Sequence, residues 1–315
     1  MKFTSFKRST AVLALGLTVA LGATGCNRGE EGASGGQVTL AVSTLNNPFF
    51  VDLRDGATEA AEAAGMTLEV VDAQNDSATQ TNQLATAATS GVQGVIINPV
   101  DSDSAAAAVS PLLENNIPVI AVDRAVNDAE IASLVSSDNV AGGKQAADEL
   151  AKAKAMGEKG KVIVLQGVAG TSASRDRGAG FEEGIKAYPD IEVVAKQTAN
   201  FDRAQALDVA TNLLQANSDV TGIFAENDEM ALGAIQALGD RAGTDVKVVG
   251  FDGTEDALTA IQAGTMTATI AQQPSELGKR SVELMAQLLA GETVESNVPV
   301  PVTTVTEENA EEFIK

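Results

Sequence analysis

Short apolar runs and longer amphipathic stretches alternate along the chain from residue 38 to residue 305. Runs such as 38–42, 94–99 and 117–122 are rich in valine and isoleucine, a composition typical of strands. The stretches between strands carry apolar residues at helical spacing, and Gly65 and Gly91 follow the first two of these stretches. Strands that are apolar on both faces and alternate with helices predict parallel sheets covered by helices on both sides.

The alternation forms two similar series, and the second begins with a predicted helix at 140–155. Each series has the size of one doubly wound domain. No proline- or glycine-rich linker separates the series near residue 138, so we expect a short, directed hinge instead of a flexible connection. The sequence therefore predicts an α/β fold of two doubly wound parallel-sheet domains with a cleft between them.

Residues 1–25 have the plan of a secretory signal peptide. Three basic residues precede an apolar run over 11–21, which is too short to span a bilayer as a helix. The chain's one cysteine, Cys26, comes directly afterwards, and the segment resembles a bacterial lipoprotein signal in which that cysteine is lipidated. Ala23 departs from the larger aliphatic residue usual in such signals, and an ordinary cleaved signal is the alternative.

The segment after the signal predicts a tether, and the charge and composition of the whole chain limit its chemistry. Residues 26–36 are rich in glycine and polar residues, as in flexible linkers. The formal net charge of −22 repels nucleic acid. The chain contains no histidine, the commonest general base and a common metal ligand. We therefore expect no catalytic residues, no metal site, no cofactor and no nucleic-acid partner.

The positions at the predicted strand ends are rich in aromatic and hydrogen-bonding side chains. Open α/β sheets bind their ligands at the carboxyl ends of strands. The candidate site residues are Ser43, Asn47, Phe49, Phe50, Asn98, Asp123, Arg124, Arg175, Phe201, Asn227, Phe251, Asp252 and Gln272. Four of the chain's nine phenylalanines belong to this set. Phe49 and Phe50 taken alone are equally compatible with a core role, but the clustering favours a binding site.

The chemistry of this set suits a neutral polyol. Phenylalanine rings from both halves can enclose a flat, partly apolar ring. Arginine and amide side chains supply donors, aspartates supply acceptors, and each sugar hydroxyl needs both. Asp123 and Asp252 balance the charges of Arg124 and Arg175, which favours a neutral sugar over an anion.

The chain from residue 38 onward resembles the D-ribose-binding proteins, the substrate-binding components of ribose ABC transporters in the periplasmic binding protein class. The resembling segments are 43–50, 98–99, 101–103, 123–124, 137–140, 170–173, 227–234, 248–254 and 268–272. The resemblance implies a type I periplasmic binding protein fold with a three-segment hinge. It further implies one sugar-binding lobe over 37–138 with 273–301, and a second lobe over 139–272 with 302–315.

The resemblance also implies a function and roles for the candidate residues. The phenylalanines would stack on D-ribose or a close pentose, and the polar candidates would hydrogen-bond its hydroxyls. Hinge closure would then present the sugar to an ABC transporter permease with its ATPase, and whether a chemoreceptor also recognises the closed form stays open. An exported location, periplasmic or at the cell surface with a lipid anchor on Cys26, is expected. Glu226 departs from the glutamine expected at its position.

Three alternatives are weighed against this interpretation. The same fold binding a different monosaccharide changes only the ligand. A sugar-responsive repressor domain shares the fold but needs a DNA-binding helix-turn-helix ahead of it, where this chain has an export signal. A sugar-processing enzyme lacks a visible histidine, metal cluster or activated nucleophile here. We therefore expect a transport-linked binding protein.

Overall fold

The computed structural model describes residues 35–153 and 160–314. The predicted signal peptide, the lipidated Cys26 and most of the predicted tether lie outside these residues. Within the described ranges, no helix is both long enough and apolar enough to cross a membrane.

Strands and helices alternate along both described ranges. The strands are β1 (Gly35–Val42), β2 (Met66–Asp72), β3 (Gly94–Ile97), β4 (Val119–Val122), β5 (Ser133–Ser137), β6 (Gly160–Gln166), β7 (Ile191–Thr198), β8 (Gly222–Ala225), β9 (Lys247–Asp252), β10 (Ala268–Ala271), β11 (Asn297–Val300) and β12 (Thr303–Thr306). The α-helices are α1 (Pro48–Ala63), α2 (Ser77–Ser90), α3 (Ala105–Glu114), α4 (Asn139–Lys152), α5 (Ser172–Ile185), α6 (Arg203–Ala216), α7 (Asp228–Leu238), α8 (Glu255–Gln262) and α9 (Pro274–Leu289).

The strands form two sheets, each the centre of one lobe. The first lobe contains the parallel sheet β11-β5-β4-β3-β1-β2, with α1 and α9 on one face and α2 and α3 on the other. The second lobe contains the sheet β12-β10-β9-β8-β6-β7, with α4 and α5 on one face and α6, α7 and α8 on the other. β12 is antiparallel to β10, whereas the other neighbours in this sheet are parallel. The predicted α/β architecture of two parallel-sheet domains is confirmed.

The chain passes between the two sheets at three places. It crosses after β5, after β10 and between β11 and β12. The two short strands β11 and β12 therefore belong to different sheets, although they are neighbours along the chain. A polypeptide that crosses three times restricts the relative motion of the lobes to a directed hinge.

Side-chain caps fix where several helices begin. The carboxylates of Asp76, Asp138 and Asp202 accept hydrogen bonds from backbone amides in the first turns of α2, α4 and α6. Asn47 caps α1 through its Oδ1, which accepts from the Phe49 amide at 2.9 Å. α1 begins at Pro48, because the cap and the proline at the first helical position both favour this start.

Candidate ligand-binding site

The two lobes enclose a small cavity at the carboxyl ends of their strands. The cavity and its opening to solvent together contain about 250 Å³ of space not occupied by protein atoms. Its lining residues are Asn47, Phe49, Phe50, Asp123, Arg124, Ala173, Arg177, Phe201, Asn227, Asp252 and Gln272. Both sheets contribute to it, so a molecule bound here contacts both lobes at once.

The first lobe contributes an aromatic corner from the start of α1. The rings of Phe49 and Phe50 meet edge to face, with centroids 5.1 Å apart and planes at 89°. Both side chains are buried, because the first turn of α1 points them back toward the sheet and the cavity. Asn47 uses its oxygen for the helix cap, which leaves its amide N–H groups for a ligand.

A buried acid–base pair follows β4. Asp123 Oδ2 accepts from Asn98 Nδ2 at 3.0 Å and lies 3.5 Å from Arg124 Nε, an ion pair without a hydrogen bond. Arg124 Nη1 donates to the Pro99 carbonyl at 3.0 Å. Its guanidinium carbon lies 5.3 Å from the centroid of the Phe50 ring, within cation–π distance.

The second lobe contributes a second acid–base pair from α5 and β9. Arg177 Nη1 lies 3.6 Å from Asp252 Oδ1, and Gln272 Nε2 donates to the same oxygen at 2.7 Å. The Arg177 guanidinium carbon lies 3.9 Å from the centroid of Phe251 and 5.8 Å from that of Phe201. The arginine is thus stacked in a fixed position, with its edge toward the cavity.

The formal charges of the cavity cancel, with two guanidinium groups facing two carboxyl groups. Burial raises the pKa of Asp123, which Arg124 and Arg177 oppose. Burial also raises the pKa of Asp252 well above its usual range, against the effect of Arg177. Such desolvated charges carry a large penalty unless partners satisfy them. The arrangement therefore favours a neutral ligand rich in hydrogen-bonding groups.

Some polar atoms of the cavity residues have no hydrogen-bond partner among the described residues. They are Asp123 Oδ1, Arg124 Nε and Gln272 Oε1. These atoms include both donors and acceptors, which matches the hydroxyl groups of a polyol. Buried polar groups without a partner are rare in proteins, and a binding site is a physical reason for them.

Three residues of the cavity have strained backbone conformations. Asp123, Phe201 and Asp252 have φ values of 66°, 61° and 131°, in a region that favours glycine. All three are cavity residues. Strained residues persist where the surrounding structure over-determines them, and they cluster at ligand sites. Each side chain is thereby directed off the end of its strand into the cavity.

Arg175 is the one predicted site residue that the structure places on the surface. It is 41% exposed and forms an ion pair with Asp103 of the first lobe. Its prediction as a cavity residue is wrong, because positions two apart on a helix point to nearly opposite sides. The arginine of α5 that lines the cavity is Arg177, which the sequence prediction missed. Helical spacing is the signal that indicates it, since Ala173, Arg177 and Phe181 share one buried face of α5.

Three further predicted residues lie behind the cavity and do not line it; they are Ser43, Asn98 and Phe251. Asn98 is buried and supports Asp123, while its Oδ1 accepts from the Ser43 amide at 3.1 Å. Phe251 is fully buried in the core of the second lobe and stacks under Arg177. The remaining predicted residues line the cavity; they are Asn47, Phe49, Phe50, Asp123, Arg124, Phe201, Asn227, Asp252 and Gln272.

The lobes also contact each other beside the cavity. Ser102 of the first lobe donates through its amide to the Gly170 carbonyl at 2.9 Å, and its Oγ accepts from the Ser172 amide at 3.1 Å. Ser172 Oγ accepts from the Ala125 amide at 2.9 Å. The segment 170–175 at the start of α5 therefore contacts the first lobe outside the cavity.

Comparisons with known proteins agree with this architecture. Residues 38–293 match the family model of the periplasmic binding protein domain. The chain is 48% identical over 268 residues to the ribose import binding protein RbsB of Escherichia coli (strain K12), covering 85% of this chain and 90% of that protein. It is 43% identical over 270 residues to RbsB of Bacillus subtilis (strain 168), covering 86% and 87% of the two chains.

Solved structures show the same fold. The carbohydrate transporter solute-binding protein from Agrobacterium radiobacter, in complex with D-arabinose, matches with a TM-score of 0.85 and 28% identity. The match covers 90% of this chain and 100% of that chain. The chain therefore belongs to the periplasmic binding protein family, as a solute-binding protein of the transport class and not an enzyme.

Proposed function

We propose that this protein captures D-ribose between its two lobes and delivers it to the permease of an ABC transporter. The observation that carries the proposal is the cavity between the lobes, in which phenylalanine rings surround two arginine–aspartate pairs of cancelling charge. A pentose ring has apolar faces for the aromatic rings and a polar rim for the charged groups. The relatives named as ribose import binding proteins support the same ligand.

Capture works by hinge closure between the lobe of 37–138 with 273–301 and the lobe of 139–272 with 302–315. The sugar touches both lobes only when they are closed, so binding shifts the equilibrium toward the closed form. In our proposal Phe50 and Phe201 approach the ring from the first and second lobes, and Arg177 takes the role predicted for Arg175. The permease then distinguishes the loaded protein by its closed shape.

Specificity follows from the buried charges. A sugar that lacks a hydroxyl, or carries it in the wrong orientation, leaves a desolvated arginine or aspartate without its partner. The solved relative with D-arabinose shows that the fold also accommodates other monosaccharides. A different monosaccharide is therefore the second candidate ligand, held by the same residues.

The location and attachment of the protein extend this proposal. The relatives support an extracytoplasmic protein, and the sequence pattern before Cys26 supports export followed by lipidation of that cysteine. Residues 26–36 would then tether the lobes to the membrane that carries the transporter. Recognition of the closed form by a chemoreceptor is a further partner that this arrangement permits.

Isothermal titration calorimetry of the purified protein tests the proposal. D-Ribose is titrated beside D-arabinose, D-glucose and D-galactose. Heat is the suitable signal, because the chain has no tryptophan and one tyrosine, Tyr188. Tight one-to-one binding of D-ribose with weak binding of the others supports the assignment. Tight binding of another sugar would change the assigned ligand and leave the mechanism as proposed. No heat with any sugar would contradict the proposal.

A further inference from the structure

Glu226 is a fully buried carboxyl group that the proposed sugar contacts do not use. It follows β8 and has no exposed surface. Its Oε2 accepts from the Gly167 amide at 2.7 Å and from the Ser174 hydroxyl. Its Oε1 has no hydrogen-bond partner among the described residues. The side chain thus joins the end of β6 to the first turn of α5.

The segment held in this way carries the groups of the second lobe that matter for binding. Between Gly167 and Ser174 lie Gly170 and Ser172, which contact the first lobe. One turn after Ser174 comes Arg177, whose Nη1 donates to the backbone carbonyl of Glu226 at 2.7 Å. Glu226 is therefore connected both to the contact between the lobes and to a cavity arginine, although it does not line the cavity.

We infer that Glu226 is a positioning residue whose carboxylate clamps the segment 167–174, and that its charge makes sugar binding depend on pH. The inference rests on the proposed function for its ligand. The ionised carboxylate accepts two charge-assisted hydrogen bonds, which are roughly twice as strong as those to a neutral carboxyl group. The clamp is tightest in the ionised form, so sugar binds best above the pKa of Glu226.

The electrostatic surroundings place this change near neutral pH. Burial is the largest influence and raises the pKa of Glu226 to about 7. The Gly167 amide, the Ser174 hydroxyl and the Arg177 guanidinium favour the ionised form, whereas Glu182 on α5 disfavours it. Because binding favours the ionised form, linkage requires that sugar binding near pH 7 releases protons.

Calorimetry on the Glu226→Gln variant tests the inference, because glutamine keeps the shape and one acceptor but cannot ionise. For the wild type, D-ribose affinity should rise about three- to tenfold from pH 6 to pH 8, the gain expected when hydrogen bonds become charge-assisted. Titrations at pH 7 in two buffers of different ionisation enthalpy should show proton release. In the variant, the rise in affinity over this range and the proton release should both be clearly smaller than in the wild type, and what remains reports the raised pKa of Asp252.

Two further variants sharpen the test. Ser174→Ala removes one hydrogen bond of the clamp and should lower affinity at pH 8 toward the wild-type value at pH 6. Glu183→Gln is the matched control, because Glu183 is an exposed acid of α5 that pairs with Lys144. It should keep the wild-type profile. A Glu226→Gln profile that follows the wild-type pH dependence, or a wild-type affinity equal at pH 6 and pH 8, overturns the inference.

Hydrogen exchange tests the clamp without any sugar and separates this inference from the proposed function. Amide protection in 167–175, measured relative to the rest of the second lobe so that intrinsic exchange and the change of global stability with pH cancel, should fall in the wild type from pH 8 to pH 6. In Glu226→Gln it should be the same at both pH values. Equal protection in the wild type at both values contradicts the clamp. Absence of binding with every sugar contradicts the proposed function, even where the exchange result supports the clamp.

Discussion

Arg175 of the second lobe donates through Nη1 to Oδ2 of Asp103 in the first lobe, at 3.0 Å. Asp103 is held in place from its own lobe, because its Oδ1 accepts from Asn127 Nδ2 at 2.6 Å. Both partners are largely exposed, with 41% and 61% of their side-chain surfaces accessible. The pair therefore acts on closure of the lobes and does not contact a ligand in the cavity.

We expect Arg175→Ala to weaken D-ribose binding by less than about fivefold, as is usual for the loss of an exposed ion pair. The deficit should shrink further in high salt, because salt screens exposed charges. Calorimetry at low and at high sodium chloride concentration measures both effects. A loss of D-ribose affinity of a hundredfold or more that salt does not change would show that Arg175 belongs to the binding site.

Arg177→Ala should behave differently, with affinity at least about a hundredfold lower and little dependence on salt. The substitution leaves the buried Asp252 carboxyl without its cationic neighbour, and breaking a buried pair is costly. Arg175→Ala on the same helix is the matched control. If the two variants bind D-ribose equally well, the assignment of the cavity arginine is wrong.

Gly170 lies at a close contact between the lobes outside the cavity, where its carbonyl accepts from the Ser102 amide. A Cβ at this position would overlap Oδ2 of Asp101 in the first lobe. Asp101 cannot easily move aside, because its Oδ1 accepts from the amides of Asp103 and Ser104. Gly170→Ala should therefore oppose closure, lowering D-ribose affinity about tenfold while the unfolding temperature of the sugar-free protein stays unchanged.

A compensating substitution checks this explanation. Asp101→Ser shortens the side chain but keeps an oxygen that can accept the same backbone hydrogen bonds. Combined with Gly170→Ala, it should restore most of the affinity measured by calorimetry. A double variant as weak as Gly170→Ala alone would place the effect within the second lobe.

Glu226→Gln should stabilise the folded protein at alkaline pH. The folded pKa of about 7 is above the ordinary value of 4.5, so the folded form binds the proton more tightly. The contribution of protonated Glu226 to the stability of the folded protein is fully present below the unfolded pKa, and it is lost as pH rises through the folded pKa. Glutamine does not suffer this loss, so the variant should gain up to about 3 kcal/mol at pH 8 and little at pH 5.

Urea unfolding of both proteins at pH 5 and pH 8 measures this difference, with Glu183→Gln as the exposed control. The expected result is a higher urea midpoint for Glu226→Gln at pH 8 only. An equal midpoint at pH 8 would mean that the buried carboxyl group is compensated in the folded state. With the expected higher midpoint, the variant exchanges pH-dependent binding for stability, which is a common relation at functional sites.

The sequence alone determined the architecture and most of the cavity. Alternating apolar strands and amphipathic helices led to two parallel sheets, since strands apolar on both faces need cover on both sides. The carboxyl ends of those strands then brought Asp123, Arg124, Asp252 and Gln272 together, because parallel strands end at the same edge. These inferences needed only local periodicity and a general rule of topology.

The tertiary structure decided what depends on the rotation and exact ends of each element. Arg175 and Arg177 lie on the same helix, α5, and only the packing of α5 on its sheet turned Arg177 inward. Phe251, next to last in β9, faces the core, and Asp252 at the end of the strand turns into the cavity through a strained φ of 131°. A shift of one residue reverses the face of a strand, and two residues reverse the face of a helix. Periodicity places an element, whereas only its contacts with the rest of the molecule fix which side chains face the ligand.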